Sequence, residues 1–297
     1  MIKFSSKKIL LPYDFSKNAD KALSNAAFMA AFLRSDLYLL HVIGKSDTLD
    51  IILPILKIKN KKDLIKVLSH QLEIVSIKIK KDFGIKVRTI VSSGNITSEI
   101  VNVANEQNID LIIMGTQGSG SNNDFFLGSN AYRLITKSEI PVMTIKEKSS
   151  KKGYKNILLP IDLSDHSRQK VNYAISLAKA FKSKVSILGL YNENERNDKF
   201  KLDIVTKQIE KLCSESKISF DCFIDKTAHR VSKTISFAKK HKVDLIITMT
   251  DQKSDSQFGI LNNYNHQLVH ISNIPVISIP PVQLGDLTQT ESPGIPF

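Results

Sequence analysis

The chain of 297 residues contains an internal repeat, and this repeat constrains the fold more than any other sequence feature. Three pairs of segments match: residues 7–42 with 155–190, residues 108–117 with 242–251, and residues 138–145 with 272–279. The offset between the copies is 148 residues early and 134 residues late, so the second copy is about 14 residues shorter. The difference falls where the first copy has Gly44–Lys66. A repeat of this length predicts two similar domains in tandem.

Each copy alternates short apolar segments with helical patterns. In the first copy, the strand candidates are residues 8–12, 36–42, 85–91, 109–114 and 141–145. Helical patterns such as Ala19–Leu33 and Ser98–Asn108 lie between them. Continuous apolar strands suit a parallel sheet that is buried on both faces, and their alternation with helices predicts a doubly wound, Rossmann-like α/β fold. Ser16 and Ser164 stand where helix N-caps belong.

The pattern also predicts where the domains begin and end. We expect a first domain at residues 1–147, a linker at 148–153, a second domain at 154–281 and an extended tail at 282–297. The linker is polar, and the tail contains prolines and no hydrophobic periodicity. Such a tail cannot bury enough apolar surface to fold on its own.

Composition excludes several classes of protein. Lys+Arg minus Asp+Glu is 21 − 14 = +7 for residues 1–150 and 21 − 15 = +6 for residues 151–297, so the net charge of +13 is evenly spread. No arginine cluster interleaved with aromatic residues occurs, which argues against a nucleic-acid partner. No apolar run approaches the roughly 20 residues that a membrane span needs, and the N-terminus lacks signal-peptide features. Two cysteines without a CxxC motif, Cys213 and Cys222, indicate thiols in a reducing cytoplasm.

A glycine-rich stretch follows the fourth strand of the first copy. Four of the 12 glycines, Gly115, Gly118, Gly120 and Gly128, fall within 14 positions. In doubly wound sheets, ligands bind beyond the carboxyl ends of the strands. Glycine lets backbone N–H groups approach an anion, and the amino end of a helix near Ser129 adds a favourable dipole. The stretch therefore predicts a phosphate cradle; the alternative is a glycine-rich surface loop without a ligand.

Motifs for fast catalysis are missing from the sequence. No lysine lies between residues 114 and 130, as a Walker A loop would require, and no GxSxG elbow occurs. His266 and His270 are four residues apart, but the glutamate of HExxH and a third ligand are absent, so we expect no metal site. Enzymatic activity is therefore uncertain, and any turnover would be slow.

The spacing Gly-x2-Gly-x9-Gly-Ser, formed by Gly115, Gly118, Gly128 and Ser129, resembles the ATP-binding motif of the universal stress protein (UspA) family. The opening ILLPYDFS of the first copy and the IPV before its last strand resemble the same family. The resemblance covers about residues 1–147 and again 154–281, as in a tandem member. It implies two adenine nucleotide α-hydrolase-like domains, each with a five-stranded parallel sheet of order 3-2-1-4-5.

The resemblance also implies ligand contacts in the first copy. They are Asp14 at the adenine or ribose, Val42 at the adenine, Met114 and Gly115 at the ribose, and Gly118, Gly128, Ser129 and the backbone of Asn130 at the phosphates. Magnesium could be held by the triphosphate together with Asp14. Each residue also has a purely structural explanation, because Asp14 suits a turn and Val42 and Met114 suit a core.

The second copy departs from this motif at every position. Met249, Gln252, Asn262 and Asn263 replace the three glycines and the serine, and Asp251 and Asp255 would repel an anion. Asp162 still matches Asp14. We therefore predict that the second domain does not bind ATP in the manner of the family.

These observations favour a cytoplasmic regulator of the stress response, in which ATP bound to the first domain orders the 115–130 loop. The alternatives are an interaction protein whose pocket is empty or holds another ligand, and a weak ATPase. Family members pair through their last strands, which implies that residues 141–145 and 275–279 pair within this chain as a pseudo-dimer. Two such chains could associate further as a homodimer.

Overall fold

The computed structural model describes residues 6–44, 60–116, 128–146, 153–164, 166–192, 197–250 and 264–282. In the first copy the elements are β1 Lys8–Pro12, α1 Lys17–Leu33, β2 Asp36–Gly44, α2 Lys61–Phe83, β3 Val87–Gly94, α3 Ile96–Glu106, β4 Leu111–Gly115, α4 Ser129–Lys137 and β5 Val142–Ile145. In the second copy they are β6 Asn156–Ile161, α5 Val171–Phe181, β7 Lys184–Tyr191, α6 Asp198–Glu215, β8 Ser219–Lys226, α7 Arg230–Lys240, β9 Leu245–Met249, α8 Tyr264–Ile271 and β10 Val276–Ile279. The predicted alternation of strands and helices is confirmed.

The ten strands form one sheet of order β3-β2-β1-β4-β5-β10-β9-β6-β7-β8. Each half therefore has the order 3-2-1-4-5, and the pairs within each half are parallel. The central strands β1, β4, β6 and β9 are buried almost throughout, as continuous apolar runs require.

The two halves join through their last strands. β5 and β10 pair antiparallel, with Met143 opposite Ile277. The predicted pairing of residues 141–145 with 275–279 within one chain is thus confirmed. It removes two sheet edges that would otherwise expose unpaired backbone groups.

Side chains on both faces of the sheet reinforce this junction. On one face, Phe32 of α1 stacks on Phe181 of α5, with ring centroids 4.6 Å apart. Elsewhere at the junction, the His266 ring of α8 lies 4.2 Å from the Tyr132 ring of α4. Lys146 donates a hydrogen bond to the backbone oxygen of His270 near the end of α8. The halves therefore pack as well as pair.

The start of the first helix differs between the copies. Ser16 is the N-cap of α1, and its Oγ accepts a hydrogen bond from Ala19 N at 3.1 Å. The same prediction for Ser164 is wrong, because α5 begins only at Val171. Ser164 Oγ instead donates a hydrogen bond to Asp162 Oδ1 at 2.6 Å, so this hydroxyl does not cap the helix. In the described ranges, no helix is both long and apolar enough to span a bilayer.

Candidate functional site

The carboxyl ends of β1, β2 and β4 bring four predicted site residues to one edge of the sheet. β1 lies between β2 and β4, with Pro12 opposite Leu40 and Ile9 opposite Leu111. Asp14 follows β1, Val42 lies near the end of β2, and Met114 and Gly115 end β4. We call this edge the first pocket. Val42 is half-buried and Met114 is 8% exposed, so both also belong to the core.

The loop after β1 has an unusual backbone. Asp14 is exposed, and its Oδ1 accepts a hydrogen bond from Ser16 N at 3.0 Å. Phe15 between them has φ of 61°, in the left-handed region that disfavours a bulky side chain. Its ring contacts the rings of Tyr13 and His41, both with centroids 5.0 Å away. These ring contacts hold a strained residue beside Asp14, and such strain is found preferentially at functional sites.

The amino end of α4 completes the first pocket. Gly128 N donates to Thr116 O at 2.6 Å, so the two ends of the intervening segment meet beside β4. Gly128 is the N-cap, Ser129 begins α4, and Asn130 follows it. No side chain among the described residues caps this helix, which leaves its first-turn N–H groups for water or a ligand. Gly118 lies outside the described residues.

The first pocket also holds a buried hydroxyl that the sequence did not single out. Thr116, which follows Gly115, is 3% exposed. Its Oγ1 has no hydrogen-bond partner among the described residues. A buried hydroxyl without a partner costs free energy, so a group bound at this edge could satisfy it.

The equivalent edge of the second half contains a small cleft, which we call the second pocket. Its polar lining consists of Asp162, Ser164, Lys170, Arg230, Thr248 and Tyr264. Leu190 and Met249 line it as well, where the first copy has Val42 and Gly115. Its cavity volume is about 40 Å³, which is room for one or two water molecules.

An ion pair lies in the lining of the second pocket. Arg230 Nη2 donates to Asp162 Oδ2 at 2.5 Å, and the Arg230 guanidinium lies 5.8 Å from the centre of the Tyr264 ring. Burial alone would raise the pKa of Asp162, but Arg230, Ser164 and Lys170 together hold that pKa below its usual value. Asp162 is therefore ionised at neutral pH.

A second cation contributes to this pocket from the N-cap position of α5. Lys170 is only 5% exposed, and its Nζ donates to Ser167 Oγ at 3.2 Å. The first copy has Ala22 at the corresponding position and Ile96 at the position of Arg230. Neither cation was predicted from the sequence. Their signal was available, because each is a charged residue where the other copy has an apolar one.

Of the residues that replace the glycine motif in the second copy, only Met249 lies within the described ranges. Met249 ends β9 and is 9% exposed, so a side chain fills the place of Gly115. Asp251, Gln252, Asp255, Asn262 and Asn263 lie outside the described residues. His266 and His270 lie on α8, and no group of three or more metal-binding side chains occurs within the described ranges.

The known proteins that resemble this chain include two universal stress proteins. Universal stress protein MJ0577 of Methanocaldococcus jannaschii is 32% identical in an alignment of 160 positions that covers 48% of this chain and 97% of that protein. Universal stress protein YxiE of Bacillus subtilis is 29% identical in an alignment of 150 positions that covers 47% of this chain and 98% of that protein. Each of these relatives thus corresponds to about half of the chain, as a tandem arrangement requires.

A solved structure matches both halves together. A universal stress protein from Archaeoglobus fulgidus superposes with a TM-score of 0.76 at 20% identity, covering 93% of this chain and 99% of that one. This likeness supports the ten-stranded arrangement of the fold. The model of the universal stress protein family matches residues 5–146 and again residues 153–280. The chain therefore belongs to the universal stress protein family, as a tandem form with two domains.

Proposed function

We propose that this protein binds ATP in the first pocket and acts as a cytoplasmic regulator of the stress response. The observation that supports it best is the closure between Thr116 and Gly128. Their 2.6 Å hydrogen bond brings both ends of the glycine motif to the edge where Asp14 stands. The two residues are twelve positions apart in sequence, and the motif could not form one binding site if the fold held its ends apart.

Each predicted residue receives a role in this proposal. Asp14 binds the ribose or adenine, and Val42 and Met114 provide the apolar side of the base and sugar. Gly115 lets the backbone pass close to the ribose. Gly118, Gly128, Ser129 and the N–H of Asn130 bind the phosphates, because the uncapped amino end of α4 offers donors and a favourable dipole.

The same geometry favours binding over fast turnover. Fast phosphoryl transfer needs a cation on the transferred group and a residue that orients the nucleophile. In the part of the chain that the structure describes, the residues at the first pocket supply an exposed carboxylate, a glycine and a helix terminus. We therefore propose a regulator in which any hydrolysis is slow, with magnesium held by the triphosphate and Asp14.

Mass spectrometry of the nucleotide released from the denatured purified protein tests this proposal. We expect one ATP for each chain, held by the first domain. Two for each chain would contradict the assignment of a silent second domain. If none is found, calorimetric titration with ATP decides, and the absence of binding there would leave an interaction protein with an empty or different pocket. A multiple-turnover assay on the same sample measures hydrolysis.

A further inference from the structure

The second pocket contains an arginine that is held in place from two sides. Arg230 donates to Asp162 through Nη2, and its guanidinium lies over the Tyr264 ring. Tyr264 is fixed in turn, since its hydroxyl lies 2.8 Å from Thr234 Oγ1. Thr234 lies one turn after Arg230 on α7. A guanidinium positioned in this way loses little conformational entropy when it binds a ligand.

Within the described residues, most of the N–H donors of this arginine have no hydrogen-bond acceptor. A guanidinium has five N–H groups, and Arg230 makes its side-chain hydrogen bond within the described residues to Asp162 alone. Its side chain is 43% exposed, whereas that of Asp162 is 23% exposed. The remaining donors are therefore available to a ligand that enters from solvent.

A second group of the same cleft suits an anion. Lys170 adds another positive charge to the lining. Arg230 and Asp162 offset each other's charge at 2.5 Å, so with Lys170 the three groups together carry a net positive charge. The first pocket has Ile96 and Ala22 at the positions of the two cations, so this chemistry belongs to the second copy only.

The size of the cleft limits what it can hold. The cavity of about 40 Å³ is much smaller than a nucleoside, and Met249 and Leu190 occupy the region equivalent to the ribose and adenine sites. A single tetrahedral oxyanion could bind at the mouth of the cleft, where the Arg230 side chain is 43% exposed.

We propose that the second pocket is a binding site for a single phosphate group, either as the free ion or at the end of a small molecule, with Arg230 as its principal ligand. The second domain then recognises an anion through side-chain cations. This differs from a site built of backbone N–H groups at a glycine loop. The proposal is independent of whether the first pocket binds ATP.

Calorimetric titration of the full chain with inorganic phosphate, at constant ionic strength set by chloride, tests this site. We expect binding with a dissociation constant below about 1 mM. In Arg230→Met the affinity should fall at least tenfold. Arg168→Met is the matched control, because it removes the same charge elsewhere. Arg168 is exposed and donates a hydrogen bond to Gln208 on the surface. Equal affinity in Arg230→Met and wild type would overturn the proposal.

Two further experiments show where the phosphate binds and whether the ligand is the free ion or a phosphorylated small molecule. In Gly118→Val/Gly128→Val the phosphate isotherm should persist; its loss there would place the ion in the first pocket and contradict the proposal. If Arg230→Met does not fold, Arg230→Lys keeps the charge but loses the forked donor and should still weaken binding. Binding of glycerol 3-phosphate at least tenfold tighter than phosphate would indicate a phosphorylated small molecule, and the reverse order a free ion. AMP binding at this site would contradict the size argument.

Discussion

The first pocket, at the ends of β1, β2 and β4, and the second pocket, at the ends of β6, β7 and β9, share the same frame. In both, an aspartate after the first strand accepts a hydrogen bond from the serine two residues later, at 3.0 Å for Asp14 and 3.1 Å for Asp162. The surroundings of this hydrogen bond differ. Asp14 is exposed, whereas Asp162 bonds Arg230 inside a cleft lined by Met249. The two copies thus share the hydrogen bond between aspartate and serine, but not what the aspartate contacts.

Backbone geometry draws the same distinction. Most residues with a left-handed backbone conformation stand at equivalent positions of the two copies: Arg34 corresponds to Lys182 and Asn108 to Lys242. Phe15 breaks this pairing, because Leu163 at the equivalent position does not have a positive φ. Paired left-handed residues end helices and serve the fold. An unpaired one beside Asp14 indicates that the first pocket carries strain for another purpose.

The largest expected effect comes from giving the first pocket the residue of the second. Gly115→Met should lower ATP affinity at least a thousandfold, since a side chain would then stand where the backbone must pass the ribose. Met249 ends the corresponding strand β9, so methionine is compatible with this fold and the variant should remain folded. Calorimetry measures the affinity, and Gly115→Ala should give an intermediate loss. Unchanged ATP binding in Gly115→Met would contradict the assigned site.

The reverse exchange should cost stability without creating a site. Met249 is 9% exposed, so Met249→Gly should lower the free energy of unfolding by about 3 kcal/mol through the cavity and the flexible strand end. Urea denaturation measures this loss. The variant should still not bind ATP, because Leu190, Arg230 and Tyr264 remain in the cleft. Newly acquired ATP binding would show that Met249 alone silences the second pocket.

A smaller effect tests a feature that both copies kept at the opposite edge of the sheet. Asp244 accepts hydrogen bonds from Lys155 N and Asn156 N, both at 3.0 Å, and Asp110 accepts from Lys7 N and Lys8 N at 2.7 and 2.9 Å. Asp244→Asn should cost about 2 kcal/mol and the half-buried Asp110→Asn about 1 kcal/mol, because the charge-assisted bonds are weakened.

Urea denaturation of the two aspartate variants measures both losses. The order should follow burial, since Asp244 is 9% exposed. A larger cost for Asp110→Asn would mean that the two aspartates do not hold the sheet in the same way.

The smallest effects concern the serines of the shared turn. Ser16→Ala should lower the free energy of unfolding by about 1 kcal/mol, because Ser16 caps α1. Ser164→Ala should cost only about 0.5 kcal/mol, since it removes one hydrogen bond to a partly exposed aspartate. Thermal unfolding of the two variants under the same conditions compares them. Equal losses would contradict the different roles of the two serines.

Much of the fold could be predicted because its signals are local. The strand at residues 8–12 was predicted to the residue, and the helix predicted at Ala19–Leu33 begins two residues earlier, at Lys17. The ends of elements were predicted less well; β2, for example, continues to Gly44 instead of ending at residue 42, because its pairing with β3 extends to Gly94. Buried apolar runs and helical periodicity depend on neighbours in sequence, so they can be recognised without knowledge of the tertiary structure.

The sequence by itself thus determined the tandem repeat, the order of strands and helices, and the glycine motif at one edge of the first domain. The tertiary structure alone decided that Arg230 meets Asp162, which is 68 residues away, and that Ser164 bonds this aspartate instead of capping a helix. Periodicity assigns a residue to a face of the sheet, but it does not specify which distant side chain lies opposite at hydrogen-bond distance. That choice follows from the depth and direction of each side chain in the packed molecule.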